Sequence, residues 1–238
     1  MSSRFYRFLQ ILLLVALGAF LVEKTLSGKL TWYINVRFMP LTLLGVALLT
    51  IMVIALMRHT QKTANVQEHL HASPINLLVL LIPVLIGILV PNRPLDAAAV
   101  ASKGVTLNAP LVASENAEQQ FDMAADERNI VDWLRIFSSE SDLSPYLEQQ
   151  ASVIGFVYRD ESLPENQFLV SRFVITCCAA DAFALGIPVE WDGEMLEDNV
   201  WVKVKGGVEV SYWQNQKVPL ILAESLEVVE EPEQPYLI

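Results

Sequence analysis

The sequence is poor in cysteine and histidine, with two cysteines and three histidines in 238 residues. Because the two cysteines are neighbours, a scaffold held by several disulfides is excluded. All three histidines precede residue 72, so the second half lacks the histidine base of a Ser-His-Asp or Cys-His enzyme. A P-loop with its glycines and lysine is also missing. We therefore expect a protein that is not an enzyme.

Basic residues are scarce in the second half of the chain. Residues 104–238 contain seven Lys and Arg against twenty-four Asp and Glu, whereas residues 1–103 contain nine against three. Nucleic-acid affinity depends on Lys and Arg replacing the counterions of phosphates, so a polyanionic domain repels the nucleic-acid backbone. We expect no nucleic-acid partner. The change of sign also indicates two parts with different surroundings.

Three apolar runs lie in the first part, residues 1–94, which we interpret as a membrane domain. The runs cover residues 5–22, 40–57 and 74–90, and each is close to the roughly 20 residues that an α-helix needs to cross a bilayer. Pro83 and Gly87 in the third run indicate a bend or a close contact between helices. The sequence predicts three transmembrane helices, with the lipid bilayer as a partner.

The first apolar run also has a feature of signal peptides, since Arg4 and Arg7 precede it. No small residues suited to cleavage follow Val22, and Glu23 stands there instead, which favours an uncleaved anchor. The basic flank of the first run favours a cytoplasmic N-terminus. With three crossings, this orientation predicts that the second half lies outside the cytoplasm.

The composition changes after the third run. Residues 95–122 show no sustained apolar period, so the sequence predicts a linker there. An acidic, β-rich soluble domain follows at residues 123–238. Its first element is an amphipathic helix over Asp126–Phe137, with Asp126 as its cap, because apolar residues recur there at helical spacing.

Strand-like alternation begins at residue 151. Five or six strands in about 80 residues are typical of a small OB-like barrel or a sandwich. Lys205-Gly206-Gly207 predicts a hairpin between the fourth and fifth runs, and Asp192-Gly193 predicts another turn. The runs are Ala151–Tyr158, Phe168–Cys177, Ile187–Trp191, Val200–Val204, Val208–Trp213 and Leu220–Val229.

The most specific chemistry lies at Cys177 and Cys178, with Asp181 three residues later. Adjacent side chains of a strand point to opposite faces, so both sulfurs bind one ion only if the backbone turns at the pair. Thiolates suit zinc or copper(I), and two of them need further ligands. Buried core cysteines, a thiol-redox pair, a nucleophile and a disulfide remain open. The disulfide is strained because neighbouring Cα atoms are only about 3.8 Å apart.

A weaker metal candidate lies in the polar connection between the second and third apolar runs. His59, His69 and His71 all fall there, with Glu68 beside them. Imidazoles ligate transition metals, but no Cys/His spacing motif accompanies them. A solvated loop near the lipid headgroups explains the same residues.

Several short motifs together resemble the YcgQ-like permease subunits of bacteria. The likeness spans most of the chain, and its most specific part is the Cys-Cys-Ala-Ala-Asp-Ala core. The motifs are Tyr33-Ile-Asn-Val-Arg-Phe-Met-Pro40, Leu89-Val-Pro-Asn-Arg-Pro-Leu95, Gly155-Phe-Val-Tyr158, Arg172-Phe-Val-Ile-Thr-Cys-Cys-Ala-Ala-Asp-Ala182, Trp201-Val-Lys-Val-Lys-Gly206 and Pro235-Tyr-Leu-Ile238.

The resemblance implies an accessory subunit in the bacterial plasma membrane that works beside a larger, multi-span permease. It names no transported solute, and it points to Cys177, Cys178 and Asp181 as the site. In that role the acidic domain captures or hands over a solute or ion. The alternative, from another functional class, is a membrane-anchored metal-binding or thiol-redox protein that acts alone.

Overall fold

A computed structural model describes residues 3–62, 74–107, 123–147 and 149–237. The chain divides into two compact units, Met1–Arg93 and Pro94–Ile238. This division separates the apolar helices from a domain built mainly of β-strands.

Three α-helices form the first unit: α1 (Ser3–Leu26), α2 (Met39–Lys62) and α3 (Pro74–Leu89). Within the described residues, two helical segments, Phe5–Leu26 and Val36–Arg58, are long and apolar enough to cross a membrane. The apolar part of α3 is shorter than a spanning helix normally is. Two of the three predicted spans therefore have the required length and composition, and three transmembrane helices are not confirmed.

Close packing against α1 explains one glycine of the third apolar run. α1 contacts both α2 and α3. A Cβ atom added to Gly87 would lie 2.7 Å from the Cζ atom of Phe20 in α1. A side chain at position 87 would require the Phe20 ring to move, and this close approach matches the helix contact expected from the sequence. Beyond α3, the Tyr33 hydroxyl donates a 2.8 Å hydrogen bond to Oδ1 of Asn92.

Five strands form a closed barrel in the second unit, in the order β1-β2-β3-β5-β4, with β4 pairing back to β1. Neighbouring strands are antiparallel except at the seam between β3 and β5, which is parallel. The sandwich alternative is therefore wrong. The strands are β1 (Gln150–Tyr158), β2 (Gln167–Val174), β3 (Phe183–Glu190), β4 (Trp201–Trp213) and β5 (Gln216–Val228).

The hairpin predicted at Lys205-Gly206-Gly207 is wrong, because β4 runs through these residues as one long strand. The register between β4 and β5 shifts at Lys205/Gly206, and a Cβ atom on Gly206 would collide with the carbonyl of Leu222. The glycines thus allow a bulge within β4, at a point where this strand pairs with β1 on one side and with β5 on the other. The hairpin lies at Gln214 and Asn215, whose φ angles of 48° and 62° are those of a tight β-turn.

The helix predicted over Asp126–Phe137 exists but begins later, as α5 (Ile130–Ser139). Asn129, not Asp126, is its cap, since the Asn129 side chain accepts hydrogen bonds from the backbone N–H groups of Val131 and Asp132. The Asp132 carboxylate in turn accepts from the Asn129 N–H, which completes a capping box. The apolar face of α5 packs with side chains of the barrel strands in one large core that includes Trp133 and Phe168.

A second, smaller apolar cluster includes residues from the stretch predicted as a linker. Residues 97–103 of that stretch form a short helix, α4 (Ala97–Lys103), and residues 108–122 lie outside the described residues. We call this cluster the outer cluster, and its buried members come from five separate parts of the chain. They are Ala97, Val100, Phe156, Phe173, Ile175, Ala182, Ala184 and Tyr236.

Candidate functional site

The two cysteines lie in a turn that connects β2 to β3, which we call the thiol loop (residues 175–182). β2 ends at Val174 rather than reaching Cys177 as the sequence predicted. The chain bends after Ile175, and Cys178 has extended backbone angles (φ −154°, ψ 169°) before a single 3₁₀ turn over Ala179–Asp181. This turn allows neighbouring side chains to approach each other, and the two sulfur atoms are 3.7 Å apart.

The Asp181 carboxylate closes the thiol loop. Its Oδ2 accepts a 2.8 Å hydrogen bond from the backbone N–H of Cys177, and its Oδ1 accepts a 3.2 Å bond from the N–H of Cys178. The two sulfurs and one carboxylate oxygen lie within 4.8 Å of one another. Cys177 and Asp181 are exposed and Cys178 is half-buried, so the three groups face solvent as one cluster.

Hydrogen bonding makes the two thiols chemically different. The Cys177 thiol bonds to Asp181 and to Cys178, which favours its protonated form and raises its pKa to about 11. The pKa of Cys178 is lowered, because its sulfur accepts hydrogen bonds from the backbone of Ala180, from Cys177 and from the backbone of Asp181. Cys178 is therefore the more readily formed thiolate.

Asp181 keeps its charge despite the neighbouring sulfurs. Desolvation alone would raise its pKa, but the hydrogen bonds from Cys177 and from the backbone of Cys178 and Thr176 together lower it. The cluster thus combines a carboxylate, one readily formed thiolate and a second thiol in hydrogen-bond contact with the first. These groups suit cation binding or thiol chemistry.

A lysine from α4 holds the other side of the thiol loop. The ammonium of Lys103 donates to the carbonyl of Ala182 at 3.0 Å and to those of Ala179 and Ala180 at 3.4 Å. These contacts leave the sulfurs and the carboxylate free to face solvent. Just after α4, Val105 forms a parallel bridge with Ala184, so the start of β3 is also held.

The outer cluster packs against the thiol loop, whose Ile175 and Ala182 are buried in it. The rings of Phe156 and Phe173 stack at 5.9 Å, and Trp201 and Tyr236 approach them edge-on. The Tyr236 hydroxyl accepts a 2.9 Å hydrogen bond from the N–H of Leu95. Most motifs that carry the family resemblance in this unit therefore meet at one place, where they build the support of the loop.

Arg172 fixes the C-terminal segment beside this cluster. Its guanidinium donates to the carbonyls of Gln234 at 2.6 Å and Pro235 at 3.1 Å and lies over the ring of Trp201. Burial lowers the pKa of Arg172 to about 10, which reflects the cost of holding a cation away from water. Leu237 then pairs with Val174, the last residue of β2. Arg172 thus has a supporting position.

The structure describes the backbone of one of the three histidine candidates, His59. By its backbone, His59 lies in α2 rather than in a loop, and His69 and His71 lie outside the described residues. Among the described residues, Cys177, Cys178 and Asp181 form the one group of three or more metal-binding side chains. The weak histidine candidate remains a prediction.

The contribution of Lys103 was missed because it lies in the stretch predicted as a linker. The sequence nevertheless contains a signal for α4. Asp96 is a good N-cap, and its carboxylate accepts a 3.1 Å hydrogen bond from the N–H of Ala98. Gly104 ends the helix with a φ angle of 78°. An aspartate, an alanine-rich run, a lysine and a glycine in this order are typical of a short capped helix.

Family models match both parts of the chain. The model described as the DUF1980 N-terminal domain matches residues 9–106, and that described as the DUF1980 C-terminal domain matches residues 108–238. The boundary between the models falls after α4, whereas contacts place α4 with the barrel. Residues 94–106 thus belong to the first family model but pack with the second unit.

Two relatives match nearly the full length. One, from Streptococcus mutans serotype c, is named "Putative two-component membrane permease complex subunit" and is 28% identical over 89% of this chain and 92% of its own. The UPF0703 protein YcgQ of Bacillus subtilis is 22% identical over 96% of this chain and 98% of its own. No solved structure matches the chain. The predicted resemblance is confirmed, and the chain belongs to the DUF1980 family.

Proposed function

We propose that this protein is an accessory subunit of a bacterial membrane permease complex. Its helical unit anchors it in the plasma membrane beside a larger, multi-span permease, and its barrel domain captures or hands over a solute or ion at the thiol loop. The role is one of binding rather than catalysis. The printed name of the S. mutans relative supports the complex, and the two apolar helices support the membrane anchor.

The assignment of a binding role to the thiol loop rests on one observation. The loop is exposed, yet it is held by Asp181 within itself, by Lys103 from α4 and by the outer cluster beneath it. Ordering a loop costs conformational entropy, and the contacts on both sides of this loop offset that cost before any ligand arrives. Such pre-organisation lowers the cost of binding a ligand.

Co-purification tests the complex. The tagged chain, co-expressed with a candidate multi-span permease and solubilised in mild detergent, is expected to retain the permease. Recovery of the chain without it would contradict the accessory role and favour a protein that acts alone. The Cys177→Ser/Cys178→Ser variant is expected to retain the permease but to lose transport, whereas Ser141→Ala, a matched change at an exposed serine, should retain both.

Protease protection tests the orientation. With the barrel domain outside the cytoplasm, protease added to intact cells stripped of their wall is expected to cleave within residues 94–238. Cleavage of that domain only after the membrane is opened would place it in the cytoplasm instead. The same measurement also decides the redox surroundings of the thiols, since the cytosol keeps thiols reduced.

A further inference from the structure

The spacing of the two sulfurs is informative about the ion that they fit. Zinc binds thiolate sulfur at about 2.3 Å with tetrahedral geometry, which places two sulfur ligands about 3.8 Å apart. The sulfurs of Cys177 and Cys178 are 3.7 Å apart. They can therefore bind one tetrahedral ion without a change in their separation.

A two-coordinate ion fits the same sulfurs less well. In linear coordination the ion lies midway between its ligands, so the sulfurs stand two bond lengths apart, about 4.6 Å for a bond as long as that of zinc to sulfur. The thiol loop would have to open by about 1 Å to reach this separation. The hydrogen bonds from the N–H groups of both cysteines to Asp181 hold the loop backbone, so the increase would have to come from rotation of the two cysteine side chains. The geometry thus favours a zinc-like ion over linear copper(I).

Asp181 can supply the third ligand. In a tetrahedral site a carboxylate oxygen lies about 3.6 Å from a sulfur ligand, given a zinc–oxygen bond of about 2.1 Å. The three ligand atoms already lie within 4.8 Å of one another. The carboxylate accepts hydrogen bonds from the backbone of Thr176, Cys177 and Cys178 and from the Cys177 thiol, and a carboxylate has about four acceptor sites. The bond from the thiol is lost when Cys177 gives up its proton to bind an ion, which frees one site. Asp181 therefore retains acceptor capacity for an ion.

We propose that the thiol loop binds one Zn²⁺ ion through Cys177 Sγ, Cys178 Sγ and a carboxylate oxygen of Asp181, with the fourth position open. This deepens the proposed function, because it names the ion that the domain captures or hands over, and it rests on that function for the transfer step. Each thiol releases its proton to the solvent as it binds the ion.

The open position matters for transfer. Structural zinc sites are normally closed by four protein ligands, whereas sites that exchange or react keep a position for water or another ligand. Here Cys177 and Asp181 are exposed and Cys178 is half-buried, so a ligand from a partner can reach the ion. Replacement of the loop's ligands one at a time would then pass the ion on.

Zinc binding to the full-length protein in detergent tests the proposal. Titration against a chromophoric zinc chelator is expected to show one Zn²⁺ bound per chain. Asp181→Asn should weaken this binding by about 10- to 100-fold, as loss of a supporting or weak ligand does. The Cys177→Ser/Cys178→Ser variant should abolish it. Equal zinc binding by the double-serine variant, or no zinc binding by the native chain, would overturn the proposal.

Cobalt(II) supplies a spectroscopic test of the ligands. Co²⁺ in place of zinc is expected to give sulfur-to-cobalt charge-transfer absorption and the intense visible bands of tetrahedral coordination, both lost in the double-serine variant. Weak octahedral bands would contradict the proposal. Circular dichroism on each variant checks that it is folded, and Asp181→Asn keeps both sulfurs if the double variant unfolds.

The histidines require a control, because they also bind zinc. The His59→Gln/His69→Gln/His71→Gln variant is expected to keep the one zinc ion and the cobalt spectrum, and loss of both would place the ion at the histidines instead.

The two experiments distinguish failure of the zinc proposal from failure of the proposed accessory role. A chain that binds zinc but retains no permease contradicts the complex alone, and one that retains the permease but binds no zinc contradicts the ion alone.

Discussion

Two of the three apolar clusters of the barrel domain, the large core and the outer cluster, differ in what they stabilise. The large core lies inside the barrel and under α5, and it joins residues of every strand. The outer cluster joins α4, the ends of β1 and β2, the thiol loop and the C-terminal segment. The first determines whether the barrel forms, and the second determines how the thiol loop is held. The motifs of the barrel domain contribute to both clusters: Phe156, Phe173 and Tyr236 lie in the second, and their neighbours Val157 and Val174 lie in the first.

Trp133→Ala is expected to have the largest effect on the stability of the barrel. Trp133 is fully buried in the large core, and Arg128 lies over its ring at 5.1 Å. Truncation of a buried tryptophan costs about 3–5 kcal/mol. Chemical denaturation followed by circular dichroism measures the change.

Trp133→Phe is the matched control. Among the described residues, the indole N–H of Trp133 has no hydrogen-bond partner, so phenylalanine removes no such bond and keeps an aromatic ring. The expected loss is less than half that of Trp133→Ala. Equal losses for the two variants would show that the core depends on the full indole and not on buried aromatic volume.

Gly206→Ala is expected to destabilise the barrel by about 1–3 kcal/mol, the usual cost of an added group in a packed region. The new methyl group would collide with the carbonyl of Leu222, at the bulge between β4 and β5. Gly207→Ala is an adjacent control, since a Cβ atom there meets nothing within 4 Å. Its expected change is below about 0.5 kcal/mol. Thermal unfolding of both variants makes the comparison, and similar losses would contradict the role of the bulge.

Tyr236→Phe addresses the outer cluster and should cost about 1 kcal/mol, because the Leu95 N–H loses its acceptor. The barrel is expected to stay folded, while labelling of the thiols by a bulky maleimide becomes faster. Tyr212→Phe is the control, since Tyr212 is 72% exposed, and it should change neither property. A Tyr236→Phe chain that unfolds as readily as Trp133→Ala would show that the two clusters are one cooperative core.

The smallest structural change, alkylation of one thiol, tests the difference between the two cysteines. Cys178 has the lowered pKa, so it forms a thiolate at lower pH than Cys177, whose pKa is raised to about 11. Limited iodoacetamide treatment at neutral pH should modify Cys178 first. Cys177 should require a higher pH than Cys178, because its hydrogen bonds raise its pKa. Peptide fragmentation locates the label, and equal labelling at neutral pH would contradict the hydrogen-bond pattern.

Local sequence patterns predicted the existence of helices and strands better than the residues at which they begin and end. The apolar period identified α5, but the cap depends on which polar side chain reaches the first free N–H groups. The Asn129 side chain does so directly, and the Asp132 carboxylate accepts from the Asn129 N–H in return. The pair of glycines at 206 and 207 has the composition of a hairpin, yet pairing of β4 with both β1 and β5 keeps the strand continuous. Long-range pairing is not visible in a short pattern, so this error follows from tertiary structure overriding local preference.

The thiol loop was predictable in part. The sequence indicated that the chain must turn for both sulfurs to approach one point, and the 3₁₀ turn brings them to 3.7 Å. The contacts of Lys103 and Tyr236 with distant backbone groups were not predictable, because they join residues 76 or more positions apart. The motifs include Tyr236 and its partner Leu95 but not Lys103, and a motif does not indicate which distant residue it contacts.

The parallel seam of the barrel has a consequence for local opening. It is registered at two residue pairs, Val189 with Ile221 and Glu190 with Leu222, whereas β4 and β5 pair along twelve. Strands with few ladder bonds separate at a lower free energy than the whole domain unfolds. Backbone amides of β3 and β5 at the seam should therefore exchange with deuterium before those between β4 and β5. The closed barrel is therefore expected to open first at the β3–β5 seam and last along the long β4–β5 hairpin.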